Sequence, residues 1–130
     1  MDIDTIIGGC QSIAKEIVRS AFPVGTIYAA SRDASIPARL LAMYLQGPRV
    51  TFSSQEATSS CNCLVVDDAA YTGNTMRGLA RRFKEAGNAF GTACIVMSED
   101  CGYRPSFHAM ACSSGVKIVF PWTKNFLETI

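Results

Sequence analysis

Leu64-Val65-Val66-Asp67-Asp68-Ala69-Ala70-Tyr71-Thr72-Gly73-Asn74-Thr75-Met76 is the stretch whose reading settles the fold. Its first three residues form an apolar, β-branched run too short for a helix, so they read as a buried strand. Two carboxylates stand at the strand's C-terminal end, followed by a turn of small and hydroxylated residues. A helix is then predicted from about Thr75 to Glu85, with Gly87 placed as its C-cap. A buried strand that feeds a helix through a short turn is the building unit of a parallel sheet covered by helices.

The flanking sequence repeats that unit. Ile6, Ile7, Cys10, Ile13, Ala14 and Ile17 recur near the 3.6-residue period, predicting a helix over 5–21 that Pro23 stops. Val24 to Ala30 reads as a buried strand and Ser31 to Ser35 as a polar turn. A second helix is predicted over 36–46, with Pro37 in its first turn and Gly47-Pro48 closing it. Residues 49–53 suggest a short strand, and the Ser- and Thr-rich 53–62 a mobile loop. Further buried strands are predicted over 92–97 and, last, over Val116 to Phe120. Strands that are apolar on both faces and alternate with helices define an α/β fold with a parallel sheet.

With 130 residues, the chain has the length of one domain. A hydrophobic content of 48% excludes wholesale disorder. Twelve Lys and Arg against eleven Asp and Glu leave a formal charge of +1, without the basic excess of a nucleic-acid or anionic-membrane binder. No apolar run approaches the roughly 20 residues of a membrane helix. The start, MDIDTII, lacks the layout of a secretory signal, so a cytoplasmic protein is expected. Six cysteines sit mostly among apolar neighbours and read as reduced core thiols. A metal site is disfavoured: Cys61-Asn-Cys63 has one intervening residue and the single histidine, His108, no partner at ligand spacing.

The chemistry concentrates around the quoted segment. In open α/β sheets ligands bind beyond the carboxyl ends of the strands, and a helix N-terminus offers free N–H groups to a phosphate. Gly73 permits close backbone approach, Thr72 and Thr75 add hydroxyl donors, and Asp67 and Asp68 are acceptors suited to sugar hydroxyls. A ligand carrying both a phosphate and a cis-diol is expected. A P-loop is excluded because no Gly-Lys-Ser/Thr follows the glycine, and a dinucleotide fingerprint because Gly-x-Gly-x-x-Gly is missing.

Val65 to Thr75 resembles the 5-phosphoribosyl 1-diphosphate (PRPP) motif of type I phosphoribosyltransferases. Ala30 to Ala42 is similar to the pyrophosphate-loop-plus-helix segment of the bacterial xanthine-guanine enzymes, and Val119-Phe120-Pro121-Trp122 resembles their C-terminal end. The resemblance implies a single phosphoribosyltransferase-like domain over 1–130, with helices on both faces of the sheet and a short hood in residues 53–62. It implies that Asp67 and Asp68 bind the ribose hydroxyls and contact Mg²⁺ through PRPP oxygens or water. Tyr71, Thr72, Gly73, Asn74 and Thr75 would cradle the 5′-phosphate, with Ala70 also at the substrate. Ser31, Arg32 and Asp33 would meet pyrophosphate and its Mg²⁺, with Arg32 neutralising the leaving group. The implied partners are PRPP, a nucleobase acceptor and a second copy of the chain in a homodimer.

This chain departs from the family pattern at several positions. Tyr71 stands where purine-specific relatives have an acid, Asp33-Ala34 replaces the common Gly-Gly, and the hood spans only ten residues. Glu99 falls where the xanthine-guanine enzymes carry a base-reading lysine, and Lys117 where they carry a stacking aromatic. In the pocket, Glu99 would favour a base edge with amino donors; on the surface, both residues would be solvated charges. Two functions follow: a Mg²⁺-dependent phosphoribosyltransferase, or a PRPP-binding regulator that kept the site without the chemistry.

Overall fold

The apolar stripe of the first helix is what anchors the sheet. Ile6, Cys10, Ile13, Ala14 and Ile17 are buried along α1 (Ile3–Ser20), which Asp2 caps by accepting from the Thr5 N–H at 2.8 Å. The structure, a computed structural model, describes residues 1–123. The chain continues through β1 (Thr26–Ala29), a 3₁₀ turn at Arg32–Ala34, α2 (Ser35–Leu45), β2 (Arg49–Thr51), α3 (Ser54–Thr58), β3 (Cys63–Ala70), α4 (Asn74–Ala86), β4 (Phe90–Ser98) and β5 (Phe107–Cys112). The five strands form one all-parallel sheet in the order β2-β1-β3-β4-β5.

Helices cover both faces, as the sequence predicts. On one, α1 and α2 pack over Ile27, Ala29, Leu64, Val66, Ala93 and Ile95. On the other, Leu79 and Phe83 of α4 and Ala57 of α3 pack over Tyr28, Cys63 and Val65. Gly87 caps α4 with φ +75°, as expected. Among the described residues no helix is long and apolar enough to cross a membrane. The domain expected over 1–130 extends past the described residues.

Two expectations are corrected. The last strand is Phe107–Cys112, paired with β4, whereas Val116–Phe120 forms no strand. Part of that apolar run's hydrogen bonding goes elsewhere: Ile118 N–H donates to the Tyr71 hydroxyl at 2.9 Å, and the Val119 carbonyl accepts from the Met1 ammonium at 2.7 Å. The segment 53–62 contains a docked helix rather than a mobile loop. Ser53 caps α3 by accepting from the Glu56 N–H at 3.2 Å, Ala57 is fully buried, and the Asn88 side chain donates to the Thr58 carbonyl at 2.6 Å. Ser53→Ala is expected to cost about 1 kcal/mol, the usual worth of an N-cap, read as a lowered urea midpoint at unchanged slope.

Candidate functional site

β3 is the central strand, and its C-terminal end is where the chain's apolar pattern stops. Leu64 and Val66 pack toward α1 and α2, yet beyond the aspartates it is Ala69 that packs on that side, while Ala70 joins Met76 under α4. The alternation of the strand changes phase across Asp67 and Asp68. Each carboxylate also accepts from the next residue's backbone: Asp68 N–H to Asp67 Oδ1 at 2.9 Å, and Ala69 N–H to Asp68 Oδ1 at 2.7 Å.

Beyond Ala70 the chain turns through Tyr71–Gly73 into α4. Gly73 is the N-cap with φ +83°, and the first helical N–H, that of Asn74, is taken up by the Thr72 hydroxyl at 3.2 Å. The opening N–H groups of a helix have no intrahelical partners, so this turn presents donors and the positive end of the α4 dipole. Asp67, Ala70, Tyr71, Thr72 and Gly73 line one cavity of about 160 Å³ together with Asn74, Thr75 and Lys117. The sequence-predicted cradle and Lys117 are thus brought together.

Asp67 is the most perturbed group in the site. Burial, and then the adjacent Asp68 charge, push its carboxyl up to about 7, partly opposed by the hydrogen bonds from the Asp68 N–H and the Ser31 hydroxyl. Ser31 Oγ donates to Asp67 Oδ1 at 3.1 Å, joining the turn after β1 to the end of β3. Ser31 and Arg32 line a neighbouring cavity of about 370 Å³ with Tyr28, Ala30, Ser35 and Phe52. Asp33 is exposed in the 3₁₀ turn and lines neither cavity.

Asp68 is absent from both linings. Its Oδ2 accepts from the Trp122 indole at 2.8 Å, a contact that no sequence pattern signals. Lys117 Nζ lies 4.0 Å over the Tyr71 ring, and burial pushes the Tyr71 phenol above its ordinary value. A second cavity of about 160 Å³ shares Tyr71, Thr72 and Lys117 with the first and adds Ser98, Asp100 and Val116. Asp100, which the sequence reading passed over, accepts from the Ser98 and Ser114 hydroxyls, and these hold its carboxyl below its ordinary value. Glu99 is exposed and lines neither of these cavities.

The loop after β4 presses directly on the Tyr71–Gly73 turn. Gly102 N–H donates to the Thr72 carbonyl at 3.0 Å, and Tyr103 and Cys101 pack against Gly73. Cys10, Cys63 and Cys94 are buried, and burial pushes the Cys10 and Cys63 thiols up to about 12, which leaves them inert. Cys61 is exposed at the end of the hood. Among the described residues no three His, Cys, Asp or Glu groups converge as a metal cage. Asp67 and Asp68 offer hard oxygen donors of the kind Mg²⁺ takes alongside substrate phosphates and water.

A family model described as the phosphoribosyl transferase domain matches residues 35–126. No curated protein matches the sequence. Among solved structures, a purine phosphoribosyltransferase from Pyrococcus horikoshii is 19% identical with a TM-score of 0.76, covering 94% of this chain and 91% of its own. A hypothetical protein from Neisseria gonorrhoeae with bound ppGpp is 17% identical with a TM-score of 0.78, covering 98% and 90%. The xanthine-guanine-hypoxanthine phosphoribosyltransferase of Helicobacter pylori is 12% identical with a TM-score of 0.69, covering 85% and 82%. At these identities the likeness is one of fold.

Proposed function

From the premise that this chain belongs to the phosphoribosyltransferase family, we propose that it transfers the 5-phosphoribosyl group of PRPP to a nucleobase nitrogen and releases pyrophosphate. One observation carries the reading: Asp67, next to Asp68 at the end of the central strand, lines one cavity with the glycine-bearing turn and helix N-terminus that follow. Purine and xanthine-guanine enzymes among the structural neighbours support a nucleobase acceptor. The proposed setting is a homodimer in the cytoplasm.

Residues 71–75 hold the 5′-phosphate through the first-turn N–H groups and the hydroxyls of Thr72 and Thr75. Lys117, beside the same cavity, adds positive charge. Asp67 and Asp68 accept from the ribose hydroxyls and fix the ring. Arg32, in the turn joined to Asp67 through Ser31, faces the diphosphate. The base nitrogen bonds to C1 as the C1–oxygen bond breaks, the electron pair leaves with pyrophosphate, and the base's N–H proton passes to solvent. Positive charge develops on the ribose ring, so the work left to this chain is alignment and stabilisation of the leaving anion. Asp67 and Asp68 would help hold a Mg²⁺ bound with PRPP, which would further neutralise the diphosphate.

Pyrophosphate release from PRPP with Mg²⁺, across purines, pyrimidines and nicotinate-like bases, tests this function. Release with one class of base is expected. Calorimetry is expected to show PRPP binding weakened at least tenfold by Asp67→Asn with Asp68→Asn, the cost of losing charge-assisted hydrogen bonds. Unchanged affinity would refute the ribose assignment.

A second reading, a PRPP-binding regulator without turnover, is favoured by two features. The hood is docked through α3 rather than poised over the site, and Tyr71, in place of an acid, has its hydroxyl engaged by Ile118. The structural neighbour with bound ppGpp is compatible with it. PRPP binding with silence across the base panel would select this reading.

A further inference from the structure

Trp122 carries a hydrogen bond that packing does not require. Its ring stacks on Phe120 with centroids 4.9 Å apart and planes 7° from parallel, and Phe120 is 2% exposed. A phenylalanine would also stack there, without an N–H to donate. The indole N–H of a half-buried tryptophan needs an acceptor, and any carbonyl would serve. Here it goes instead to the carboxylate of Asp68, 54 residues away in sequence, at 2.8 Å.

The donor is held where it stands. Val119 is tied to the Met1 ammonium, Ile118 to the Tyr71 hydroxyl, and the Phe120 N–H to the Thr123 hydroxyl at 2.8 Å. Asp68 is gripped at both oxygens, Oδ1 by the Ala69 N–H and Oδ2 by the indole. Each oxygen keeps a second lone pair for a ligand, while rotation of the carboxylate is blocked. Asp67 is held differently, with both of its donors, Ser31 and the Asp68 N–H, on Oδ1.

We propose that Trp122 is a positioning residue for sugar recognition: its indole N–H fixes the Asp68 carboxylate in the orientation that receives the ribose hydroxyls. The proposal rests on the PRPP reading and adds to it a role for the C-terminal segment. That segment thereby touches both ends of the Asp68–Tyr71 stretch, through Trp122 at one and Ile118 at the other. A carboxylate that is already oriented spares the ligand the entropy of ordering it.

Trp122→Phe keeps an aromatic ring on Phe120 while removing the indole N–H along with part of the ring. Three probes separate the outcomes: PRPP, ribose 5-phosphate and inorganic phosphate, each titrated by calorimetry. PRPP and ribose 5-phosphate are expected to bind about tenfold more weakly to the variant, the worth of one charge-assisted hydrogen bond. Phosphate, which uses only the turn, is expected to bind unchanged, even where the smaller ring lowers the melting temperature. In an Asp68→Asn background the same substitution is expected to have no further effect, because its route runs through that carboxylate. Equal losses for all three probes would overturn the proposal in favour of a general structural role, as would an undiminished effect in the Asp68→Asn background. Unchanged or tighter PRPP binding would overturn it by making the indole a bystander or a blocker. Failure of the unaltered protein to bind PRPP or ribose 5-phosphate would instead remove the functional reading, and the proposal with it.

Discussion

Gly73→Ala is expected to lower stability by on the order of 3 kcal/mol and to abolish phosphate capture, two effects with one origin. Gly73 sits at φ +83°, where a residue with a side chain is strained. A Cβ there would also stand 2.7 Å from the Tyr103 backbone nitrogen, 2.8 Å from Tyr103 Cβ and 3.0 Å from Cys101 Sγ. The first two neighbours cannot yield without moving the loop after β4, so strain and overpacking add. Relief by pushing that loop away would break its Gly102 N–H bond to the Thr72 carbonyl and distort the turn that faces the ligand. A fall in melting temperature of roughly 10 °C checks the first effect, and calorimetry with inorganic phosphate the second. Gly78 provides the internal control, because it lies in the same helix with nothing within 4 Å of its would-be Cβ. Gly78→Ala is expected to raise stability by about 0.5–1 kcal/mol, as a helix-interior alanine does. Equal effects at the two positions would refute the close-approach argument.

Asp67→Asn is expected to make the protein more stable at pH 8 while removing its sugar binding. The carboxyl is raised to about 7 from an unfolded value near 4, first by burial and then by the Asp68 charge. Between those two pH values the folded chain holds a proton that the unfolded chain has released. Stability therefore falls as pH rises through the window from about 4 to about 7, and levels off above it. The contribution is full below about pH 4, where both states are protonated, and is gone once the folded carboxyl ionises. Asparagine has no proton to lose, so the variant is expected to show a flatter profile across that window and a gain above it on the order of 4 kcal/mol at most. Urea unfolding at pH 4, 6 and 8 measures this. A parent protein whose stability climbs with pH in parallel with the variant would contradict it. The result would mark Asp67 as a group kept at the expense of the fold, the usual trade at a binding site.

Much of this could be read from the residues because local pattern and tertiary use agree in them. The six-residue apolar stripe of α1, the Leu64–Val66 run and the Thr72-Gly73 helix start each have one reading that satisfies both. The miss at the C-terminal side has the opposite cause. Phe107-His-Ala-Met-Ala-Cys forms the edge strand, half-buried almost throughout, with a histidine and small residues that carry little strand signal. Val116-Lys-Ile-Val-Phe has the β-branched composition of a strand but serves as a strap whose Ile118 N–H and Val119 carbonyl bond outside the sheet. In α3 a five-residue helix gives too little periodicity to register against its Ser and Thr content. In the site, the residues contributed by one continuous stretch, Asp67 to Thr75, were legible together. The Trp122–Asp68 bond was not, because no spacing rule spans 54 residues.

The packing of α1 against β5 carries a consequence for how the chain reaches this state. The first helix lies so close to the last strand that a Cβ on Gly9 would stand 3.1 Å from that of Ala109. The sheet is parallel throughout, so no strand pairs with a hairpin neighbour and every ladder waits for a crossover to be completed. In the growing chain α1 precedes every strand it packs on, so its buried stripe is covered in stages, by α2, β1 and β3 first and by β4 and β5 last. Closure over the stripe is complete only once the distant strands β4 and β5 have joined the sheet, and folding is expected to be slow. During synthesis the stripe Ile6, Ile13 and Ile17 is the surface on which a holding chaperone would act.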